Sequence, residues 1–125
     1  MPGRTVLVVD DDAHVVRAFQ SSLQREPYDV IGVRGVREAL EQIDSGRVDL
    51  VITDIRLPGR SGLSLLAQLV RRRRLPVIVV TAHSDWVSEE DLRLLGASEV
   101  FFKPLDLSRI RAAIRRLLDP SRGPD

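Results

Sequence analysis

Five short apolar runs are spaced along the chain, and an amphipathic stretch follows each of them. The runs are rich in Val and Ile and show little strict alternation, which is typical of strands buried on both faces. The predicted strands cover residues 5–10, 29–33, 49–54, 77–82 and 100–102. The pattern therefore predicts a strand followed by a helix, five times over.

The amphipathic stretches place apolar side chains on one face of a helix. The predicted buried faces are Val15, Val16, Phe19 and Leu23; Val36, Ala39, Leu40 and Ile43; Leu66, Leu69 and Val70; and Leu107, Ile110, Ile114 and Leu117. The segment 88–95 has the weakest pattern, but Ser88 and Asp91 have the spacing of a capping box. Such alternation predicts an α/β fold, a doubly wound five-stranded parallel sheet with five helices on its two faces.

Length and composition limit the remaining possibilities. The 125 residues suffice for one domain with a single core, which we assign to residues 1–118. The last residues, 119–125, lose all periodicity and read as a flexible tail or the start of a linker. The chain lacks cysteine, a signal-peptide pattern and any apolar run of membrane-spanning length. These features predict a cytoplasmic protein without disulfides and without contact to a membrane.

Polar residues follow four of the predicted strands. Three acids (residues 10–12) end the first strand, Asp54 the third, Thr81 the fourth and Lys103 the fifth. Because the carboxyl ends of parallel strands share one edge of the sheet, these side chains should converge there. Clustered carboxylates suit Mg²⁺, and a carboxylate is a competent nucleophile toward phosphorus. The metal, the hydroxyl and the ammonium could together neutralise a transferring phosphoryl group, but the spacing does not identify the nucleophile.

Lysine usage adds one observation. Of the 19 basic residues, 18 are arginine and Lys103 is the single lysine. A composition this biased tends to replace surface lysines by arginine, because both serve a solvated face. The remaining lysine therefore reflects either chance or a position that needs a compact ammonium group rather than a broad guanidinium fork.

Taken together, these motifs resemble the receiver domain of two-component response regulators, over about residues 4–118. The matching residues are the acidic pair Asp10 and Asp11, Asp54 in "VITDIRLPGRSG", Thr81 in "VIVVTAHS", and Lys103 followed by proline in "GASEVFFKP". All occur in the order of the family. The resemblance implies a flavodoxin-like sheet with strand order 2-1-3-4-5.

The resemblance also implies a role for each matching residue. Asp54 would accept a phosphoryl group from a phosphohistidine of a sensor histidine kinase or phosphotransfer protein. Asp11, Asp54 and the backbone carbonyl of Arg56 would bind Mg²⁺ directly, and Asp10 would act mainly through water. Thr81 and Lys103 would contact the phosphoryl group, with a cis peptide bond after Lys103. Phosphorylation would switch the surface of the fourth helix, fifth strand and fifth helix, with a homodimer as one possible result.

The sequence departs from the family at one position. The family usually has an aromatic residue three positions before its lysine, where this chain has Val100. Strand alternation puts Phe102 on the same side as Val100 and Phe101 on the other. We therefore expect phosphorylation to be retained, while the output depends on backbone shifts of the fourth helix and fifth strand or on phosphorylation-dependent pairing.

Several other polar residues have simpler interpretations. Asp12 and Asp106 each precede a helix and read as N-caps, and Asp49 reads as a turn residue. Neither His14 nor His83 has a second histidine at ligand spacing. His83 lies two residues after Thr81, and we expect it to tune dephosphorylation, as Arg56 would.

Two features could suggest other partners. The arginine run 71–74 lies at the carboxyl end of the third helix, where cations oppose the helix dipole. No aromatic residue interleaves the run, so we expect no direct nucleic-acid binding by this domain. Trp86 precedes the fourth helix and could be a contact residue, although a single aromatic more often packs locally.

Two further functions compete with a phosphoacceptor. The acids Asp10 and Asp12 resemble the nucleophile motif of haloacid-dehalogenase-type phosphatases, in which Asp10 would be phosphorylated and Asp12 would be the acid. That interpretation leaves Asp54 unexplained, and His14 stands where the family generally has Thr or Val. The other competitor is a pseudo-receiver that serves only for docking, which absent Mg²⁺ binding would favour.

Overall fold

The computed structural model describes residues 3–57, 62–72, 75–82 and 87–119, which form five strands and five helices in alternation. The strands are β1 (Arg4–Val9), β2 (Tyr28–Val33), β3 (Leu50–Thr53), β4 (Val77–Thr81) and β5 (Glu99–Phe102). The helices are α1 (Ala13–Leu23), α2 (Val36–Asp44), α3 (Gly62–Arg72), α4 (Glu89–Leu94) and α5 (Leu107–Leu118). The predicted number, type and order of the elements are confirmed.

All four strand pairings are parallel, and the order across the sheet is β2-β1-β3-β4-β5. This order is the one that the family resemblance implies. It puts β3 in the centre, with β1 and β4 as its neighbours. The residues that follow these three strands are therefore brought together at one edge of the sheet.

Two apolar clusters fill the spaces between the sheet and its helices. Alternate strand residues, such as Val51 and Val79, pack with α2, α3 and α4 on one face. Their neighbours, such as Ile52 and Val80, pack with α1 and α5 on the other face. The central strands β3 and β4 are buried at every position, as their unbroken apolar runs predict.

The edge strand β2 differs from the prediction of full burial. Val33 is the only buried residue of this strand, and Asp29 and Gly32 are exposed. The reason is its place at the edge of the sheet, where it has a single neighbouring strand and incomplete cover. Gly32 also faces α1 so closely that a Cβ atom added there would lie 2.3 Å from Cγ1 of Val16.

Short polar side chains fix the beginnings of three helices, as predicted. Oδ1 of Asp12 accepts the amide of His14 at 2.9 Å, and Oδ1 of Asp106 accepts two amides of α5. Ser88 and Asp91 form a complete capping box on α4. Asp49 does more than occupy a turn, because its Oδ2 also accepts the amide of Thr5 at 2.7 Å and so ties the start of β3 to β1.

Helix α5 ends at Leu118, and residues 120–125, which include most of the predicted tail, lie outside the described residues. The domain bounds of 1–118 stay a prediction. Among the described residues, no helix has both the length and the apolar character needed to cross a bilayer.

Candidate functional site

Four of the predicted site residues meet at the carboxyl edge of the sheet. Strand β1 leads into Asp10 and β3 leads into Asp54, while Thr81 ends β4 and Lys103 directly follows β5. Asp10, Asp54 and Thr81 are buried, and Lys103 is partly buried. Each of these four strands ends at its site residue or one residue before it. The chain leaves the sheet there, and the four side chains lie together at the carboxyl edge.

The carboxylate of Asp54 lies at the centre of the site. Its Oδ1 accepts hydrogen bonds from the Thr81 hydroxyl at 3.1 Å and from the Arg56 amide at 3.0 Å. Its Oδ2 accepts one from Nζ of Lys103 at 2.9 Å. Three donors from three different segments thus converge on one buried carboxylate, which is an arrangement suited to stabilising negative charge at that point.

Asp10 is the second buried carboxylate, and it is less well satisfied. Its Oδ1 accepts the amide of Asp12 at 2.9 Å. Its Oδ2 has no hydrogen-bond partner among the described residues, and Nζ of Lys103 lies 3.8 Å away. Burial raises the pKa of Asp10 above its ordinary value, and the backbone hydrogen bond and Lys103 offset only part of this effect. The site therefore contains one buried carboxylate oxygen that accepts no hydrogen bond from the described residues.

Lys103 supplies the positive charge of the site. Burial alone would lower its pKa, but the hydrogen bond and charge of Asp54, together with the charge of Asp10, outweigh that effect and raise the pKa. The Lys103 amide donates to the carbonyl oxygen of Thr81 at 2.8 Å, and the Lys103–Pro104 peptide bond is cis, as predicted. The single lysine of the chain is thus held as a charged donor between two carboxylates.

The two buried carboxylates fit a magnesium ion. Asp10 and Asp54 carry two negative charges against one lysine, and Oδ2 of Asp10 accepts no hydrogen bond from the described residues. Mg²⁺ needs only one or two carboxylates, because it keeps several of its waters. Asp11, in contrast, is exposed, and the described part of the chain contains no ready-made group of three or more His, Cys, Asp or Glu side chains for a metal. The direct roles of Asp11 and of the Arg56 carbonyl therefore stay predictions.

The side chain of Asp12 takes no part in the buried cluster, although its amide donates to Asp10. It caps α1, is exposed, and lies 3.4 Å from Nδ1 of His14, which is exposed as well. The three adjacent acids thus divide into a buried carboxylate, an exposed one and a helix cap.

Sequence reasoning missed two residues that hold the backbone of Asp54. Thr53 is fully buried, and its hydroxyl donates to the carbonyl oxygen of Asp54 at 2.9 Å. Gly62, the first residue of α3, approaches the same carbonyl so closely that a Cβ atom would lie 2.0 Å from that oxygen. A threonine inside an apolar run carries no polar signal, although a glycine at the start of a predicted helix could have drawn notice.

Other predicted features have different outcomes. Val100 and Phe102 pack on the side of the sheet that α4 covers, and Phe101 packs on the opposite side, as strand alternation predicts. His83, Trp86 and the last two residues of the arginine run, 73–74, lie outside the described residues.

The family comparison matches residues 6–115 of the chain to the response regulator receiver domain. The chain is 34% identical over 115 residues to regulatory protein VanR of Enterococcus faecium, covering 89% of this chain and 50% of that protein. It is 33% identical over 126 residues to the DNA-binding transcriptional regulator NtrC of Rhizobium meliloti, covering 99% of this chain and 26% of that protein. The chain thus spans half or less of these two relatives.

Solved structures agree with this match. A CheY-like response regulator receiver domain protein from Methanospirillum hungatei has a TM-score of 0.83 and 27% identity, covering 95% of this chain and 96% of that one. The response regulator protein TrrA from Thermotoga maritima, solved with Mg²⁺ and BeF, has a TM-score of 0.81 and 31% identity, covering 92% and 99%. The fold, the buried acidic cluster and these matches lead to one conclusion: the chain belongs to the family of response regulator receiver domains of two-component systems.

Proposed function

We propose that this receiver domain accepts a phosphoryl group on Asp54 from the phosphohistidine of a sensor histidine kinase or phosphotransfer protein in the cytoplasm. The observation that carries the proposal is the convergence of Thr81, Lys103 and the Arg56 amide on the Asp54 carboxylate. Asp10 has no such set of donors. Asp54 is therefore the carboxylate whose surroundings match the charge of an incoming phosphoryl group.

The chemistry needs only groups that this proposal names. A carboxylate oxygen of Asp54 forms a bond to phosphorus as the bond from phosphorus to the imidazole nitrogen of the donor breaks. The electron pair remains on that nitrogen, and the product on this chain is an acyl phosphate. Lys103 and the Thr81 hydroxyl donate to the Asp54 carboxylate before the transfer. After it, they would donate to the phosphoryl oxygens, which then carry the negative charge. Hydrolysis by water later returns the carboxylate and releases phosphate.

A magnesium ion, when bound, supplies positive charge for the phosphoryl oxygens. Asp10 and Asp54 are the buried carboxylates that would hold it, joined by Asp11 and the Arg56 carbonyl if the family's pattern applies. Oδ2 of Asp10 supports this assignment, because it is buried and accepts no hydrogen bond, and the Lys103 ammonium 3.8 Å away is shared with Asp54.

The proposed output surface comprises α4, β5 and α5. Thr81 and Lys103 join the site to this side of the molecule, because Thr81 pairs with Phe102 of β5 in the sheet register. A shift of Thr81 toward a phosphoryl group would therefore be felt by β5 and by the helices beside it. A partner protein, an effector or a second copy of the chain would read the altered surface.

Labelling with acetyl phosphate and Mg²⁺, followed by mapping of the modified residue, tests the proposal. We expect one phosphoryl group on Asp54 and no labelling of Asp54→Asn. The control Asp29→Asn, which removes an exposed carboxylate near the amino end of β2, should be labelled normally. Modification of Asp10 would instead support a phosphatase of the haloacid-dehalogenase type. A folded chain that neither binds Mg²⁺ nor becomes labelled would support a docking module.

A further inference from the structure

Thr53, the last residue of β3, is a buried hydroxyl that the chemistry above does not use. Its side chain is 0% exposed, and its hydroxyl donates to the carbonyl oxygen of Asp54 at 2.9 Å. Val51, two residues earlier, packs on the face that α3 covers, so strand alternation directs Thr53 to that face as well. The hydroxyl thus reaches the backbone of Asp54 from the side of α3.

Gly62 closes on the same peptide from α3. A Cβ atom there would lie 2.0 Å from the carbonyl oxygen of Asp54 and 2.7 Å from Cα of Ile55, and both are backbone atoms that cannot easily yield. The Gly62 amide donates to the carbonyl oxygen of Ile55 at 2.9 Å. The peptide between Asp54 and Ile55 is therefore held by a hydroxyl from β3 and by close backbone contact with α3.

The orientation of this peptide matters for the carboxylate. The chain turns directly after Asp54, and the amide of Arg56 folds back to donate to Oδ1 of Asp54 at 3.0 Å. If the peptide between Asp54 and Ile55 rotated, the Arg56 amide would move away from Oδ1. Thr81 and Lys103 reach the carboxylate from other segments, so the donor that depends on this peptide plane is the Arg56 amide.

We propose that Thr53 is a positioning residue for phosphoryl transfer, because its hydroxyl fixes the peptide plane that keeps the Arg56 amide on the Asp54 carboxylate. The proposal rests on the proposed function of Asp54 as phosphoacceptor. The simpler alternative is that the hydroxyl bonds to the nearest carbonyl only because a buried hydroxyl needs a partner. That alternative affects the stability of the fold and not the rate of phosphorylation.

Two substitutions at Thr53 separate these possibilities. Thr53→Val keeps the shape and removes the hydroxyl, whereas Thr53→Ser keeps the hydroxyl and removes a methyl group. We expect Thr53→Val to be phosphorylated by acetyl phosphate about tenfold more slowly than the unaltered chain, and Thr53→Ser within about twofold of it. Binding of beryllofluoride with Mg²⁺, measured by fluorine NMR, should be weaker for Thr53→Val and close to that of the unaltered chain for Thr53→Ser. Both variants are compared at temperatures at which circular dichroism shows them to be folded.

The outcomes are distinguishable from a failure of the proposed function. If the unaltered chain is not phosphorylated on Asp54, the proposed function itself fails. If it is phosphorylated and Thr53→Val matches its rate, only the positioning role of Thr53 is overturned. If Thr53→Ser is phosphorylated as slowly as Thr53→Val, the positioning role is also overturned, because the hydroxyl would then make no difference to the rate. Should Thr53→Val not fold, Thr53→Cys, with its weak donor, is expected to show the same slowing.

Discussion

Nζ of Lys103 lies 2.9 Å from Oδ2 of Asp54, although 49 residues separate the two along the chain. The same nitrogen lies 3.8 Å from Oδ2 of Asp10. One ammonium group therefore faces both buried carboxylates of the site. This geometry requires a small cation at the end of a flexible stem, and a planar guanidinium would direct its donors differently.

We therefore predict that Lys103→Arg does not preserve the function of Lys103. The rate of phosphorylation of Asp54 by acetyl phosphate should fall by about tenfold or more, because a guanidinium cannot occupy the same point between the two carboxylates. The matched control is Arg109→Lys, which makes the reverse change at an exposed position of α5. A Lys103→Arg variant that is phosphorylated as rapidly as the control would contradict the need for an ammonium group.

The raised pKa of Asp10 predicts an effect of pH on stability in metal-free protein. An acid whose pKa is higher in the folded state favours the protonated fold, so the favourable contribution is complete below the ordinary value of 3.8 and is lost as the pH rises through the raised pKa. Asp10→Asn removes this loss. We expect the variant to be more stable than the unaltered chain by about 1 kcal/mol at neutral pH, because it relieves the cost of burying the Asp10 charge.

Urea unfolding in the presence of a chelator measures this difference. The gain of Asp10→Asn should shrink toward zero in acid, where Asp10 of the unaltered chain is protonated. Asp29→Asn, which removes an exposed carboxylate, should show no comparable gain. A variant at Asp10 that is less stable than the unaltered chain at neutral pH would exclude this explanation.

The packing of Val100 leads to a prediction about the output surface. Val100 is buried beneath α4 and is too small to act as a swinging ring. We expect beryllofluoride with Mg²⁺ to shift the backbone amide resonances of α4 and β5, because the response must then involve the backbone or pairing of chains. Spectra of that region that are identical with and without beryllofluoride would contradict it, and Asp54→Asn serves as the unresponsive control.

The contact between β2 and α1 predicts a compensating pair of substitutions. Gly32→Ala should lower the free energy of unfolding by about 1–3 kcal/mol, because the new Cβ atom would meet Cγ1 of Val16. In a chain that also carries Val16→Ala, this atom is absent. The cost of Gly32→Ala should therefore be smaller in that background, which a double-mutant cycle of urea unfolding measures. Equal costs in both backgrounds would show that the clash is relieved in another way.

Much of the fold could be predicted from the sequence, because the strong local signals agree with the tertiary structure. The apolar runs identify all five strands, and the capping residues Ser88, Asp12 and Asp106 begin the predicted helices. The order of the strands in the sheet could not be predicted from these local signals. Periodicity does not encode which strands are neighbours, and the order was available only through the family resemblance. β2 is exposed because this order puts it at the edge of the sheet, so the local pattern of apolar residues did not predict its exposure.

The site was predictable in its residue types and less so in its geometry. Sequence pattern and resemblance together identified Asp10, Asp54, Thr81 and Lys103. They could not tell that Asp10 would be buried with one oxygen that accepts no hydrogen bond from the described residues while its neighbour Asp11 remained exposed. That difference depends on where the chain leaves the sheet, which is a property of the folded backbone.

The position of Lys103 directly after the last strand has a consequence for the order in which the site is assembled during synthesis. Both buried acids and Thr81 emerge from the ribosome before the lysine does, so the nascent chain carries the acceptor carboxylates without their cation. The negative charge of the two carboxylates is partly offset only when β5 joins β4 and brings Lys103 to them. A chain that ends before β5 would hold two opposed carboxylates with no lysine between them, and docking of the final strand thus also completes the charge of the site.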